Sequence, residues 1–385
     1  MQSSTCHLAD IKYSIPFRFR HMAAPVRSPL RLRVDHVGSL LRPKPLFEQR
    51  TLFEQGKCTH EALKPLEDAA IAHVVALQHE LGLATITDGE MRRFIFYDGV
   101  FDRLEGIELR SRPMSEFKTY WPDVHGLVSL GFTEFPSCIC TSKIQRSRSI
   151  FAAEFDALKR LVPPEDVSRL KINMCPPNWF HHFHGSKLTY DKSVYGTDDE
   201  YFEDVGIAYR AEIKELYELG CRNIQIDEPS LSFFCQPDVR AALCEDQVDS
   251  DELFDTYVKA INLCTKDRPE DLNIDLHVCR GNFRVSIMLR PDFLGLYYSF
   301  QGVGFAQASY EHIAQKLFQQ VDVDTFYVLN LEYDEDRPGD LHAFRFIPPK
   351  KNVVLGIVTT KKSEVIRLRP TLILCTYPWV CPWAL

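Results

Sequence analysis

DDEYFEDVGIAYRAEIKELYELGCRNIQIDEP, residues 198–229, decides the fold. Phe202, Val205, Ala208, Tyr209, Ile213, Leu216 and Tyr217 recur at three- and four-residue steps, so 198–219 reads as a helix with one apolar stripe. Gly220 ends it, since glycine accepts the left-handed backbone of a C′ position. Ile224 and Ile226 then alternate with Asn223, Gln225 and Asp227, a strand with one apolar and one polar face. A helix feeding a strand with only two intervening residues is the unit of a parallel sheet with crossover helices.

The same unit repeats on both sides. Strands are expected at 31–40, 83–90, 169–176, 222–229, 272–280, 325–333 and 351–359, with helices at 61–81, 149–162, 198–219, 250–266 and 309–320. Polar residues gather where these strands end: Ser39, Asp88 and Glu90, Asp227 and Glu228, His277 and Cys279, Glu332. In a parallel barrel such ends share one face, where active sites are built. A doubly wound sheet would advertise a Gly-rich phosphate loop, but Gly38-Ser39-Leu40-Leu41-Arg42-Pro43 carries neither G-x-G-x-x-G nor G-K-[ST]. The expected fold is therefore α/β, a TIM (β/α)8-type barrel. Residues 106–145 interrupt the alternation with aromatics, prolines and no helical period, and read as an inserted hairpin and loop region beside the mouth.

Composition narrows the partners. Forty-five basic against 53 acidic residues leave a net charge of −8, which argues against a broad phosphate-binding surface and so against nucleic acid. Small molecules are the expected partners. Twelve cysteines without C-x-x-C pairs point to a reducing, cytoplasmic setting, and no apolar run reaches the length of a membrane span. Residues 1–30, with Arg18, Arg20 and Arg27 against the single acidic Asp10, read as a poorly ordered N-terminal extension more readily than as a mitochondrial leader.

Three groups of residues invite chemistry. His277 and Cys279, at i and i+2 on a strand, leave the same face about 6.6–6.8 Å apart along the backbone, close enough to converge on one metal ion. Glu332 at the end of the next strand offers a third ligand; the plainer alternative is a buried hydrogen-bonded histidine beside an apolar cysteine. Asp88 and Glu90 flank Gly89 either as a solvated turn or as carboxylates for a substrate ammonium, and Asp227 is a second candidate for that ammonium. His181-His182-Phe183-His184 looks like a metal cluster, yet adjacent histidines in a loop are more often surface residues, and Trp179, Phe180 and Phe183 could stack a planar ring.

Asp35-His36-Val37-Gly38-Ser39-Leu40-Leu41-Arg42-Pro43, Thr87-Asp88-Gly89-Glu90, Ile224-Gln225-Ile226-Asp227-Glu228-Pro229, His277-Val278-Cys279-Arg280-Gly281-Asn282 and Leu331-Glu332-Tyr333-Asp334 resemble, in order, the C-terminal catalytic barrel of cobalamin-independent methionine synthase, most closely its stand-alone single-barrel relatives. The resemblance covers about residues 31–365 and leaves 366–385 as a divergent tail. It implies a zinc-dependent methyltransferase acting on the thiol of homocysteine, with zinc on His277, Cys279 and Glu332. It further implies that Gly38 and Ser39 meet the substrate carboxylate, and Glu90 and Asp227 the ammonium.

Two departures accompany the likeness. Val358 stands where the family has a proton-donating histidine, so no residue is assigned as the acid. The strand carrying the family's fourth zinc ligand, a cysteine, is missing, so the barrel is expected to be incomplete at its eighth strand and helix and to hold zinc weakly, with Cys375 as a remote substitute. Two other functions stay open at this stage: a degenerate, inactive barrel, and a metal-free barrel like uroporphyrinogen decarboxylase that would bind an acidic tetrapyrrole through Arg42, Arg92 and Arg93.

Overall fold

The computed structural model describes residues 34–279, 309–328 and 341–356. Its centre is a five-stranded parallel sheet, β3 (Lys171–Met174), β4 (Asn223–Asp227), β5 (Asn273–Val278), β6 (Thr325–Val328) and β7 (Asn352–Leu355), paired in chain order. Each lies inside an expected strand. The first two expected strands run alongside with sparser bonding. Ala84 N–H donates to Val34 O (3.1 Å), Ile86 N–H to Arg169 O (2.9 Å), and Lys171 N–H to Ile86 O (2.9 Å). The eighth strand and helix, Val358 and Cys375 all fall outside the described residues, as do Glu332 and the N-terminal extension.

The register explains the amino-acid pattern. Asn173 pairs with Gln225, Gln225 with Asp275, Asp227 with His277, and His277 with Tyr327, so these polar residues share one face of the sheet. Ile172, Ile224, Ile226, Ile274, Leu276 and Phe326 take the other face and are buried against helices. The sheet curls so that Tyr327 on β6 donates its hydroxyl to Asp35 Oδ2 (2.7 Å), beside the first segment.

The helices are α1 (Lys44–Glu54), α2 (His60–Glu80), α3 (Pro122–Ser129), α4 (Ala152–Lys159), α5 (Trp179–His184), α6 (Asp198–Glu218), α7 (Pro237–Glu245), α8 (Ser250–Thr265) and α9 (Glu311–Gln320). Helix α6 starts where Thr197 accepts from Glu200 N–H and stops at Gly220, whose φ is +105°. Six members of its expected stripe are buried, but Tyr217 is only partly covered and turns its hydroxyl to Asp271 (2.7 Å). Glu212 takes an inward place instead, accepting from Ile150 N–H (2.8 Å), Phe151 N–H (2.7 Å) and Arg146 Nε (2.7 Å).

Within 105–145, β1 (Glu105–Pro113) and β2 (Glu134–Gln145) form an antiparallel pair. The reading of 106–145 as free of helix needs correction: α3 lies between the two strands, started by Pro122 at its first position. Its eight residues are too few to show a period. Tyr195 ties this pair to α6, accepting from Ile144 N–H (2.8 Å) and donating to Asp204 Oδ2 (2.6 Å). Tyr195→Phe leaves a buried N–H unpaired and is expected to lower unfolding free energy by about 1–3 kcal/mol in urea titration. An unchanged midpoint would mean that the tie contributes nothing.

Candidate active site

The loop that ends at Gly38 and the loop 87–90 are stitched together. Thr87 Oγ1 donates to Gly38 O (2.8 Å), Leu40 N–H to Gly89 O (3.1 Å), and Gly89 N–H to Thr87 Oγ1 (3.1 Å). Asp88 serves the turn itself, its Oδ1 accepting from Glu90 N–H (2.8 Å). The turn puts two successive residues in the left-handed region, Gly89 at φ +68° and Glu90 at +56°. A glutamate held there is strained, and strain of this kind concentrates at functional sites.

Glu90 is 2% exposed, and neither carboxylate oxygen has a hydrogen-bond partner among the described residues. The Arg93 guanidinium stands 3.6 Å away. Burial, helped by the charges of Asp227 and Asp88 and opposed by Arg93 and Arg42, pushes the Glu90 carboxyl up to about 7. A buried, strained carboxyl with an ion-pair neighbour in Arg93 but no hydrogen bond among the described residues is arranged to meet a further cation.

Asp227 is differently placed. Its Oδ1 accepts from Gln225 Nε2 (2.6 Å) and His277 Nδ1 (2.8 Å), and its Oδ2 from Asn173 Nδ2 (2.9 Å). His277 is 12% exposed at the side chain, and its Nε2 has no partner among the described residues. Burial works to lower this imidazole, but its interactions with Cys279 and with the Asp227 carboxylate outweigh it and push it up to about 10. Cys279 is buried beside the ring as a free thiol. Among the described residues no three His, Cys, Asp or Glu side chains converge as a metal site.

Gly38, φ +102°, is buried with its N–H on His36 Nδ1 (3.1 Å), and Ser39 beside it is exposed. Structure thus brings Gly38, Glu90, Asp227, His277 and Cys279 to one end of the sheet. Reading along the sequence missed Lys171, Asn173 and Gln225. Lys171, 1% exposed, donates to His36 O (2.7 Å) and Gln225 Oε1 (2.8 Å), and burial lowers its ammonium against the pull of Asp35, Asp275 and Asp227. The signal was available: Lys171 and Asn173 alternate with Ile172 and Met174 as Gln225 and Asp227 do with Ile224 and Ile226.

The histidine run needs correction too. His181, His182 and His184 lie on buried α5, not on a surface loop, because Trp179, Phe180 and Phe183 on the same short helix pack inward. Their partners diverge: Tyr257 and Asp198 for His181, Asp123 for His182, Ser137 and Glu116 O for His184. Trp179 packs on Tyr97 with centroids 5.1 Å apart and is 3% exposed. The three arginines proposed for an acidic tetrapyrrole are engaged internally: Arg42 with the carbonyls of Glu90 and Arg93, Arg92 with Glu67 and Asp68, Arg93 with the carbonyls of Phe96 and Asn173.

Comparison with known proteins gives this geometry its context. Residues 194–294, which span β4 and β5, match the family model for the catalytic domain of cobalamin-independent synthase. An uncharacterized protein of Bacillus subtilis, YxjH, is 31% identical over 338 residues, 86% of this chain and 79% of that protein. The chain belongs to the cobalamin-independent methionine synthase family. A methionine synthase of Sulfolobus acidocaldarius is 26% identical over 291 residues, 74% of this chain and 71% of its own. The crystal structure of a putative vitamin-B12 independent methionine synthase from Listeria monocytogenes superposes with a TM-score of 0.61 at 25% identity, covering 87% of this chain and 83% of that one. That putative synthase thus shares the architecture over most of both chains.

Proposed function

We propose that this site binds homocysteine and accepts a methyl group on its thiol, with zinc carried by His277, Cys279 and Glu332. The observation that carries the reading is a pair of buried groups without a hydrogen-bond partner among the described residues, the Glu90 carboxyl and His277 Nε2, with the charge of Asp227 acting on both. The donor types suit zinc: an imidazole nitrogen and a thiol at i and i+2 on one face, with Asp227 behind the imidazole as a carboxylate support. Zinc bound there supplies a Lewis acid that keeps a thiol deprotonated near neutral pH. Glu332 completes the set from outside the described residues.

The chain's own groups do the rest. Glu90 holds the substrate ammonium, with Asp227 contributing its charge, and the strained 89–90 turn keeps that carboxyl aimed without a hydrogen bond of its own among the described residues. Gly38 and Ser39 face the substrate carboxylate. Asp227 accepts the hydrogen bond from His277 Nδ1 and so orients the ring, with Nε2 the nitrogen that would ligate zinc once its proton is displaced.

Titration calorimetry and metal analysis of the whole chain test this. One zinc and one homocysteine are expected per chain. His277→Ala should lose both, while Asp227→Asn should weaken homocysteine more than it weakens zinc. A folded chain that takes up neither overturns the reading and favours the degenerate barrel.

A further inference from the structure

We propose that Asn173 and Gln225 are positioning residues, a pair of amides that fix the Gly38 side of the site to its Asp227–His277 side. Asn173 Nδ2 donates to Val37 O (2.7 Å) and to Asp227 Oδ2 (2.9 Å). Gln225 Nε2 donates to the same carbonyl (2.7 Å) and to Asp227 Oδ1 (2.6 Å). A carboxamide nitrogen carries two hydrogens, so both amides spend all their donors on the same two groups. One of those groups precedes Gly38. The other holds His277.

Three further observations make the arrangement directional. Lys171 Nζ donates to Gln225 Oε1 (2.8 Å), so turning the amide over would set its N–H groups against a donor and its oxygen against the Asp227 carboxylate. Asn173 and Gln225 are 4% and 0% exposed, so water does not compete for these bonds. A Cβ built on Gly38 would lie 2.5 Å from both terminal atoms of the Asn173 amide, so the backbone there comes as near to Asn173 as only glycine allows. The distance between the Val37–Gly38 turn and Asp227 is thereby set by two side chains whose amide donors are all engaged within the chain.

The inference rests on the proposed roles of Asp227 and His277, and Gln225→Glu separates the two. That variant keeps the shape and the Lys171 contact, but it replaces two donors with an acceptor facing Asp227 and Val37 O. A lost hydrogen bond to a charged group corresponds to about 10- to 100-fold in affinity. Homocysteine titration should therefore show binding weakened by about 10- to 100-fold. In the ligand-free chain, the His277 Nδ1–H signal assigned by NMR should move from its parent position as the geometry of its hydrogen bond to Asp227 changes. A role in folding alone would move the urea midpoint and leave both readouts where they are in the parent chain. Where Gln225→Glu does not fold, Gln225→Met, of similar length and without the amide, takes its place.

If the parent chain binds homocysteine and the variants match it in affinity and ring signals, the proposal is overturned while the functional reading stands. If the parent chain does not bind, the functional reading falls and the ring signals alone decide: unchanged signals overturn the amide pair, altered ones support it.

Discussion

Glu90→Gln is expected to make the folded chain more stable at pH 8 and, at the same time, a far poorer binder of homocysteine. The Glu90 carboxyl ionises less readily in the fold than its ordinary value of 4.5, being pushed up to about 7 by burial, with Asp227 and Asp88 adding to the effect and Arg93 and Arg42 opposing it. A group whose folded value is raised favours the fold in its protonated form. Its contribution is therefore full below about 4.5 and is lost as pH rises through about 7. Removing the charge should recover up to about 3 kcal/mol at pH 8 and nothing at pH 4, read as a difference between urea midpoints at the two values. Binding moves the other way. An ammonium needs the ionised carboxylate, so parent-chain affinity should rise from pH 6 to pH 8, and the variant should lose about 100-fold with no such rise. Equal destabilisation at both pH values, or affinity equal to the parent's, would show that Glu90 is an ordinary buried residue. Opposite signs for stability and binding are the mark of a site held in readiness against the preference of the fold.

Gly38→Ala carries the second large effect, about 3 kcal/mol or more of lost stability together with lost homocysteine binding. Two costs combine. At φ +102° an L side chain is strained by about 1–2 kcal/mol, and the three atoms nearest to the new Cβ all belong to the Asn173 amide. The amide cannot step aside without releasing Val37 O and Asp227. Asn173→Ala in the same chain should remove the collision but not the backbone strain, so the double variant should be more stable than the sum of the singles predicts. Strict additivity in urea titrations would rule out the contact as the cause.

Much of this was legible in the residue pattern. Short apolar runs ending in polar residues located all five ladder strands, and in β4 the alternation of Ile224 and Ile226 with Gln225 and Asp227 also marked the two faces. Gly220 and the stripe on α6 marked a helix end within a residue. The weaker elements follow from physics that alternation does not carry. Helix α3 is eight residues long, shorter than the window in which a period can be counted, and α5 is buried by neighbours distant in sequence. Tyr217 reads as core from spacing alone but lies where the helix turns toward Asp271, a partner 54 residues away.

The site divides in the same manner. His277, Cys279 and Glu90 stand out because charged or ligating groups at strand ends have little other reason to be there. Asn173 and Gln225 do not stand out. Amides are neutral, common and silent in composition, and their meaning appears only when the fold brings them to the same carbonyl and carboxylate. Asp227 reads as a ligand group from its position, but the fold has surrounded it with three donors, which adds a supporting part to its proposed binding one.

The two-faced strands also constrain how such a chain can change over generations. Connections around the strands differ widely in length, from the long excursion through β1, α3 and β2 to the four residues, 219–222, between α6 and β4, and such connections can gain or lose residues more readily than the strands can. Inside β4 a single inserted or deleted codon would send Gln225 and Asp227 outward among the helices and bring Ile224 and Ile226 in beside Lys171. Surviving lineages should therefore differ by whole loops and almost never by one residue within a strand.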